Sequence, residues 1–251
     1  MAALVIAFLL VALVYASVGF GGGSTYNALL VLLDVDYRIL PAIALACNIV
    51  VVAGGVAHFG ARRLMPWRRI APWILASVPA AFVGGMLQVP EQVFVGLLGA
   101  TLCVAGVQLI LQPRPSPSLA PRLVGNGPAL AGGAFLGLLA GVTGVGGGIF
   151  LAPLLHWLRW GAAREIAGAA SLFILVNSLA GLAGQATKLT EIKMAVVAAS
   201  YWPLLAAVLV GGQMGSRLGA AGLPEAWLRR LTGAVVLYAA ARLLLQFWSS
   251  F

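Results

Sequence analysis

The sequence predicts an all-α polytopic membrane protein of about eight membrane helical segments in two sequence-related halves. Three observations carry this expectation. Of 251 residues, 62% are hydrophobic and 8% charged, with mean hydropathy +1.04, where a soluble domain would carry roughly 25% charged residues. Charge-poor stretches close to the ~20 residues that cross a bilayer recur along the whole length and leave no sizeable soluble domain. Glycine triplets then interrupt two of these stretches, at "GFGGGSTYNALL" (19–30) and "GVGGGIFLAPLL" (144–155). A net charge of +9 would suggest nucleic acid in a soluble protein. Here Lys and Arg sit in short connections between spans, where they serve orientation, so no nucleic-acid partner is expected.

The first segment, 2–19, lacks the basic n-region of a signal peptide and leads into further apolar sequence, which reads as a retained membrane segment. After Gly21-Gly22-Gly23 the apolar piece 24–33 reaches only about half the hydrocarbon thickness at about 1.5 Å per residue; it is read as a half-helix. Spans at 38–58, 70–87 and 92–111 complete a first membrane repeat over 1–111. A Pro/Ser-rich stretch, 112–127, is expected to link it to a second repeat over 128–251. That repeat holds spans at 128–143, 164–186, 193–213 and 227–247, and a second half-helix at 149–158 after Gly146-Gly147-Gly148. The triplets lie 125 residues apart (146 minus 21). "NIVVVAGG" from Asn48 answers "NSLAGLAG" from Asn177, and "PEQVFVGLLGA" from Pro90 answers "PEAWLRRLTGA" from Pro224. The landmarks keep the same order in both halves.

Basic residues distinguish two threadings, because cytoplasmic loops hold the excess. If each broken segment is one full crossing, the 15 Lys and Arg divide nine to six, which decides nothing. If each triplet is a re-entrant turn, each half makes three crossings and the halves are inverted repeats. One side then collects Arg62, Arg63, Arg68, Arg69, Arg114, Arg122, Arg159, Arg164, Arg217, Arg229 and Arg230, leaving Arg38, Lys188, Lys193 and Arg242 on the other. The inverted threading fits better and leaves both termini outside.

Non-helical backbone at membrane depth survives only when buried in protein or lining a wet cavity. Three glycines let the chain reverse while presenting only backbone. A new helix is expected to start at Ser24-Thr25 and at Ile149-Phe150, its unpaired N–H groups and positive dipole end aimed at the turn. That geometry attracts an anion. Broken helices meeting near the midplane are a recurring transporter design; glycines that merely allow close helix packing are the competing reading.

The motif "GVTGVGGGIFLAPLL" (141–155), its degenerate first copy "SVGFGGGSTYNALL" (17–30), the two-fold repeat and the short basic connections resemble the sulfite exporter TauE/SafE family of bacterial inner-membrane permeases. The resemblance covers essentially the whole chain. It implies a secondary transporter, working as an exporter, of a small sulfur oxyanion or organosulfonate such as sulfite or sulfoacetate. Gly21, Gly22, Gly23 and Ser24, with Gly146, Gly147 and Gly148, would face the substrate. The copies differ, with Tyr26-Asn27 in the first where the second has Leu151-Ala152, and no counterpart of Pro153. A passive anion channel or pore is the alternative function.

Asn48 and Asn177 lie within spans, where a polar amide needs a partner. They either lock the bundle by an interhelical bond or donate to the anion. Thr25, Thr143, Ser171 and Gln185 are further donors, although such side chains commonly bond their own backbone. Tyr201-Trp202-Pro203 sits mid-span, as core packing or as a kink lining the path. Trp67, Trp73, Trp157, Trp160, Trp227 and Trp248 are expected at the interfaces, as aromatic belts are.

None of the six acids lies centrally in a span, so a carboxylate proton relay has no evident parts. His58 and His156 sit near span ends. Cys47 and Cys103 form no CxxC or Cys/His cluster and read as small buried residues. Neither GxSxG nor HExxH occurs, so no enzyme, metal or cofactor is expected. Expected partners are a small anionic solute and membrane lipid; monomer and homodimer stay open.

Overall fold

The computed structural model describes residues 1–17, 20–111, 124–189, 191–218 and 225–249. These form ten helices and, among the described residues, no strand: α1 (Ala2–Ser17), α2 (Gly23–Leu32), α3 (Leu40–Ala61), α4 (Trp67–Met86), α5 (Glu91–Leu111), α6 (Asn126–Thr143), α7 (Gly148–Trp157), α8 (Ala163–Lys188), α9 (Glu191–Leu218) and α10 (Glu225–Ser249). Every expected apolar segment overlaps a helix. Five are long and apolar enough to cross a membrane among the described residues, namely Leu40–Ala61, Trp67–Met86, Glu91–Leu111, Asn126–Thr143 and Arg164–Lys188. Of the linker stretch, 112–123 lies outside the described residues, while Asn126 and Gly127 open α6.

Bare backbone sets the closest helix pairs. Gly133, Gly137 and Gly141 recur one turn apart on α6, and a Cβ on any of them would overlap the carbonyl oxygen of Trp73, Ser77 or Ala81 in turn. The matching order of contacts makes α4 and α6 parallel. Gly211 and Gly215 of α9 press in the same way on the carbonyls of Leu9 and Leu13, so α1 and α9 are parallel too. Small residues at such seams let helices approach within dispersion range where lipid offers no hydrophobic drive. Two other pairs run antiparallel. On α3 and α8, Phe59 lies by Gly168, Gly55 by Ser171 and Leu45 by Gly181; on α5 and α10, Gly96 meets Phe247, Gly99 meets Leu244 and Gly106 meets Leu237.

Helices α2 and α7 have 10 residues each, about 15 Å of rise. Their distal ends are built alike. The N–H groups of Asp34 and Val35 donate to Val31 and Leu30, and those of Arg159 and Trp160 to His156 and Leu155. Asp34 and Arg159, 125 positions apart, share φ 53°. An arginine from another helix holds each end. From α10, Arg242 donates to the Leu32 carbonyl (3.3 Å) and pairs with Asp34 (2.9 Å). From α4, Arg69 donates to the Trp160 carbonyl, lies 4.3 Å over the Trp160 ring and reaches Glu165 at 3.7 Å. At its other end α2 turns back along α1, with Tyr26 stacked on Phe8 at 4.6 Å and Gly22 beside Val11.

The tryptophans depart in part from an aromatic belt. Trp67, Trp157 and Trp248 are exposed, but Trp73 and Trp160 are buried. Trp73 fills the space left by Gly132, and Trp160 takes the arginine. Trp202 is 61% exposed on α9 and lies outside the core, whereas its neighbour Tyr201 packs against that core. The side chain of Trp227 lies outside the described residues.

Candidate functional site

The middle glycine of each triplet is left-handed and caps the helix that follows. Gly22 (φ 87°) and Gly147 (φ 72°) are the N-caps of α2 and α7, a conformation costing other residues roughly 1–2 kcal/mol. The helices begin at Gly23 and Gly148, one residue earlier than the sequence suggests. In the second break Gly144 and Gly146 are also left-handed.

Neither N-terminus has a side-chain cap. The amides of Thr25 and Tyr26 close onto Gly22, and those of Phe150 and Leu151 onto Gly147. The first amides of α2, at Gly23 and Ser24, have no acceptor among the described residues, nor has Ile149 in α7. Such groups carry the positive end of the helix dipole.

Asn48 of α3 brings the two breaks together. It is fully buried. A Cβ on Gly21 would lie 2.5 Å from its Oδ1, one on Gly23 2.5 Å from its Nδ2, and one on Gly146 2.7 Å from its Nδ2. Nδ2 reaches the Val145 carbonyl at 3.5 Å, and Oδ1 has no partner. Gly23 itself faces that same carbonyl at 2.6 Å from a would-be Cβ. A small pocket lies alongside, lined by Gly21 to Ser24 on one side and by Val145, Ile149 and Ile174 on the other, with Tyr15 and Phe20; Asn48 and Gly146 to Gly148 are not in its lining. No charged side chain lines it, and its free space is about that of one water molecule. That space is smaller than an oxyanion.

The remaining residues named from sequence divide. Ser24 lines the pocket, is 1% exposed and has an unpartnered Oγ. The Thr25 hydroxyl bonds Tyr15 Oη at 2.8 Å, bracing α2 on α1. Thr143 Oγ1 donates to Leu139 in its own helix and accepts from the Val145 amide at 3.4 Å, shaping the second break. Asn177 Nδ2 donates to Phe173 of its own helix at 2.8 Å, and its Oδ1 is buried without a partner. Gly148 packs against Ile174 and Ala170, away from Asn48.

Two residues were missed. Asn27 Nδ2 donates to the Thr143 carbonyl at 2.8 Å and ties α2 to the end of α6. Ser178, buried with an unpartnered Oγ, stands 3.4 Å from a would-be Cβ on Gly146. Asn27 differs between the copies and Ser178 adjoins Asn177, which were the available signals.

The family model described as sulfite exporter TauE/SafE matches residues 4–243. The probable membrane transporter protein y4hK of Sinorhizobium fredii (strain NBRC 101917 / NGR234) is 33% identical over 244 residues, 96% of this chain and 97% of that protein. No solved structure matches.

Proposed function

The chain belongs to the sulfite exporter TauE/SafE family, and from this membrane-transporter membership we propose a secondary exporter of a small sulfur oxyanion or organosulfonate, such as sulfite or sulfoacetate. The anion is held between the N-termini of α2 and α7 near the midplane of a bacterial inner membrane. The observation that carries this reading is the placement of Asn48 against Gly21, Gly23 and Gly146, beside the free amides of Gly23 and Ser24. Amide dipoles and a carboxamide suit a negative charge, and a site without a fixed cation releases its cargo readily.

Inverted repeats fit the same arrangement. Two halves pointing the same way would make the corresponding pairs α3/α8 and α5/α10 parallel. The antiparallel packing of both pairs supports opposite orientations, as does the return of α2 along α1. The uneven division of basic residues agrees. A pocket with room for about one water molecule favours alternating access over an open pore.

Reconstituted protein loaded with unlabelled sulfite is expected to accelerate uptake of labelled sulfite, because a carrier returns faster loaded than empty. Uptake indifferent to internal sulfite would indicate a passive anion pore. No uptake of sulfite or sulfoacetate would remove this substrate class.

Gly22→Val and Gly147→Val are each expected to reduce flux at least about tenfold, since a β-branched residue at positive φ disturbs the turn. A Cβ would also meet Tyr26 and Val11 at 3.1 Å in one case and Phe173 at 2.9 Å in the other. Wild-type flux in both variants would exclude the turns from transport.

A further inference from the structure

Helix α8 carries a polar row that the glycine site does not account for. Ser171, Ser178 and Gln185 are spaced by seven residues and all are fully buried. Seven residues is nearly two turns, a drift of only about 20°, so the three share one face about 10 Å apart. Together they span about 21 Å, most of a hydrocarbon core about 30 Å thick. Each meets a glycine on another element. Ser171 Oγ lies 3.6 Å from a would-be Cβ on Gly55 of α3, and Ser178 Oγ 3.4 Å from one on Gly146. Gln185 Nε2 donates to the Gly141 carbonyl of α6 at 2.9 Å.

Ser178 Oγ and Gln185 Oε1 have no partner, and neither has Asn48 Oδ1 beside Gly21. Buried polar atoms are ordinarily satisfied, and each exception asks for a reason. Ser171 Oγ donates to Ala167 of its own helix at 2.9 Å and interhelical locking explains Gln185 Nε2, which leaves Ser178 Oγ and Gln185 Oε1. A hydroxyl without an acceptor is a donor that an anion oxygen would complete, and a carboxamide can turn to present its N–H groups.

We propose that the solute moves along this face of α8. Ser178 contacts it at the glycine site, and Ser171 and Gln185 mark the two arms of the path toward opposite membrane faces. The inference rests on the glycine site being the anion site and assigns the route that serves it.

The test uses full-length protein with Cys47→Ala and Cys103→Ala, carrying single cysteines by Ser171→Cys, Ser178→Cys or Gln185→Cys. Leu172→Cys and Leu179→Cys, off the polar face, are controls. The impermeant anionic reagent sulfonatoethyl methanethiosulfonate is applied from each side of proteoliposomes. The three path positions are expected to react at least about tenfold faster than the controls, because only a hydrated thiol ionises. Position 171 should react from one side and 185 from the other, and sulfoacetate should slow position 178. Equal rates at path and control positions, or silent path positions in variants that still transport, would overturn the route. If a cysteine variant does not fold, Ser178→Ala is expected to raise the KM for sulfoacetate about tenfold, as loss of one bond to a charged group does, and Ser178→Thr to restore it; an unchanged KM in Ser178→Ala counts against the contact. Wild-type protein that fails to exchange sulfoacetate or sulfite removes the site reading itself, a result distinct from a transporting protein with an unreactive α8.

Discussion

Asn48→Asp is expected to lower anion exchange by at least about a hundredfold while leaving a protein that purifies normally. The side chain keeps its size in a fully buried position between Gly21, Gly23 and Gly146. If ionised, the carboxylate repels an anion at contact distance; if protonated, it has lost the two N–H donors. Loss of a hydrogen bond to a charged group costs about 1.5–3 kcal/mol, roughly 10- to 150-fold in affinity, and a like charge extends the loss. Asn48→Ala removes the donor without adding charge and should fall between aspartate and wild type. The order wild type, Ala, Asp is read by sulfite counterflow, with thermal unfolding in detergent as the check on folding. Wild-type exchange by the aspartate variant would show that the anion passes elsewhere.

Gly141→Val is expected to prevent assembly of the bundle. A Cβ there overlaps the Ala81 carbonyl oxygen and lies 2.8 Å from the Gly85 amide, and neither backbone group can swing aside as a side chain would. Forcing α4 and α6 apart also draws the Gly141 carbonyl from Gln185, which donates to it at 2.9 Å. Overpacking commonly costs about 1–3 kcal/mol and occasionally more; three consecutive glycine contacts along one seam put this case at or above the upper end. Size-exclusion chromatography in detergent should show loss of the monodisperse peak. Gly127→Ala, near the start of the same helix and with nothing within 4 Å of a would-be Cβ, should elute as wild type. A monodisperse valine variant that melts with wild type would mean that the seam tolerates a gap.

The two kinds of glycine show where reading from sequence stops. Both triplets stood out because each interrupts an apolar run and is followed by a piece too short to cross the bilayer, and Gly22 and Gly147 do adopt the left-handed turn that only glycine enters freely. Gly133, Gly137 and Gly141 lie in an unbroken apolar helix, where their partners Trp73, Ser77 and Ala81 have no sequence relation to them. Asn48 and Asn177 illustrate the same limit. Landmark matching paired them, yet one bridges the breaks and the other bonds its own helix, because rotation of a helix about its axis depends on what packs against it. Trp73 and Trp160 were expected at the interface from their positions near span ends, but glycine-made space and an arginine draw them inward.

Composition and periodic interruption alone established that this chain is helical and membrane-bound, and where its helices break. Hydrocarbon leaves so few ways to satisfy a backbone that an apolar sequence of this kind has little choice locally. Which helices lie side by side, in which sense they run, and that two breaks 125 residues apart meet at one carboxamide were decided only in three dimensions. Those features depend on shape fitting between surfaces far apart in the chain, and in a uniformly apolar sequence no alternation of polar and apolar residues records which surfaces will meet.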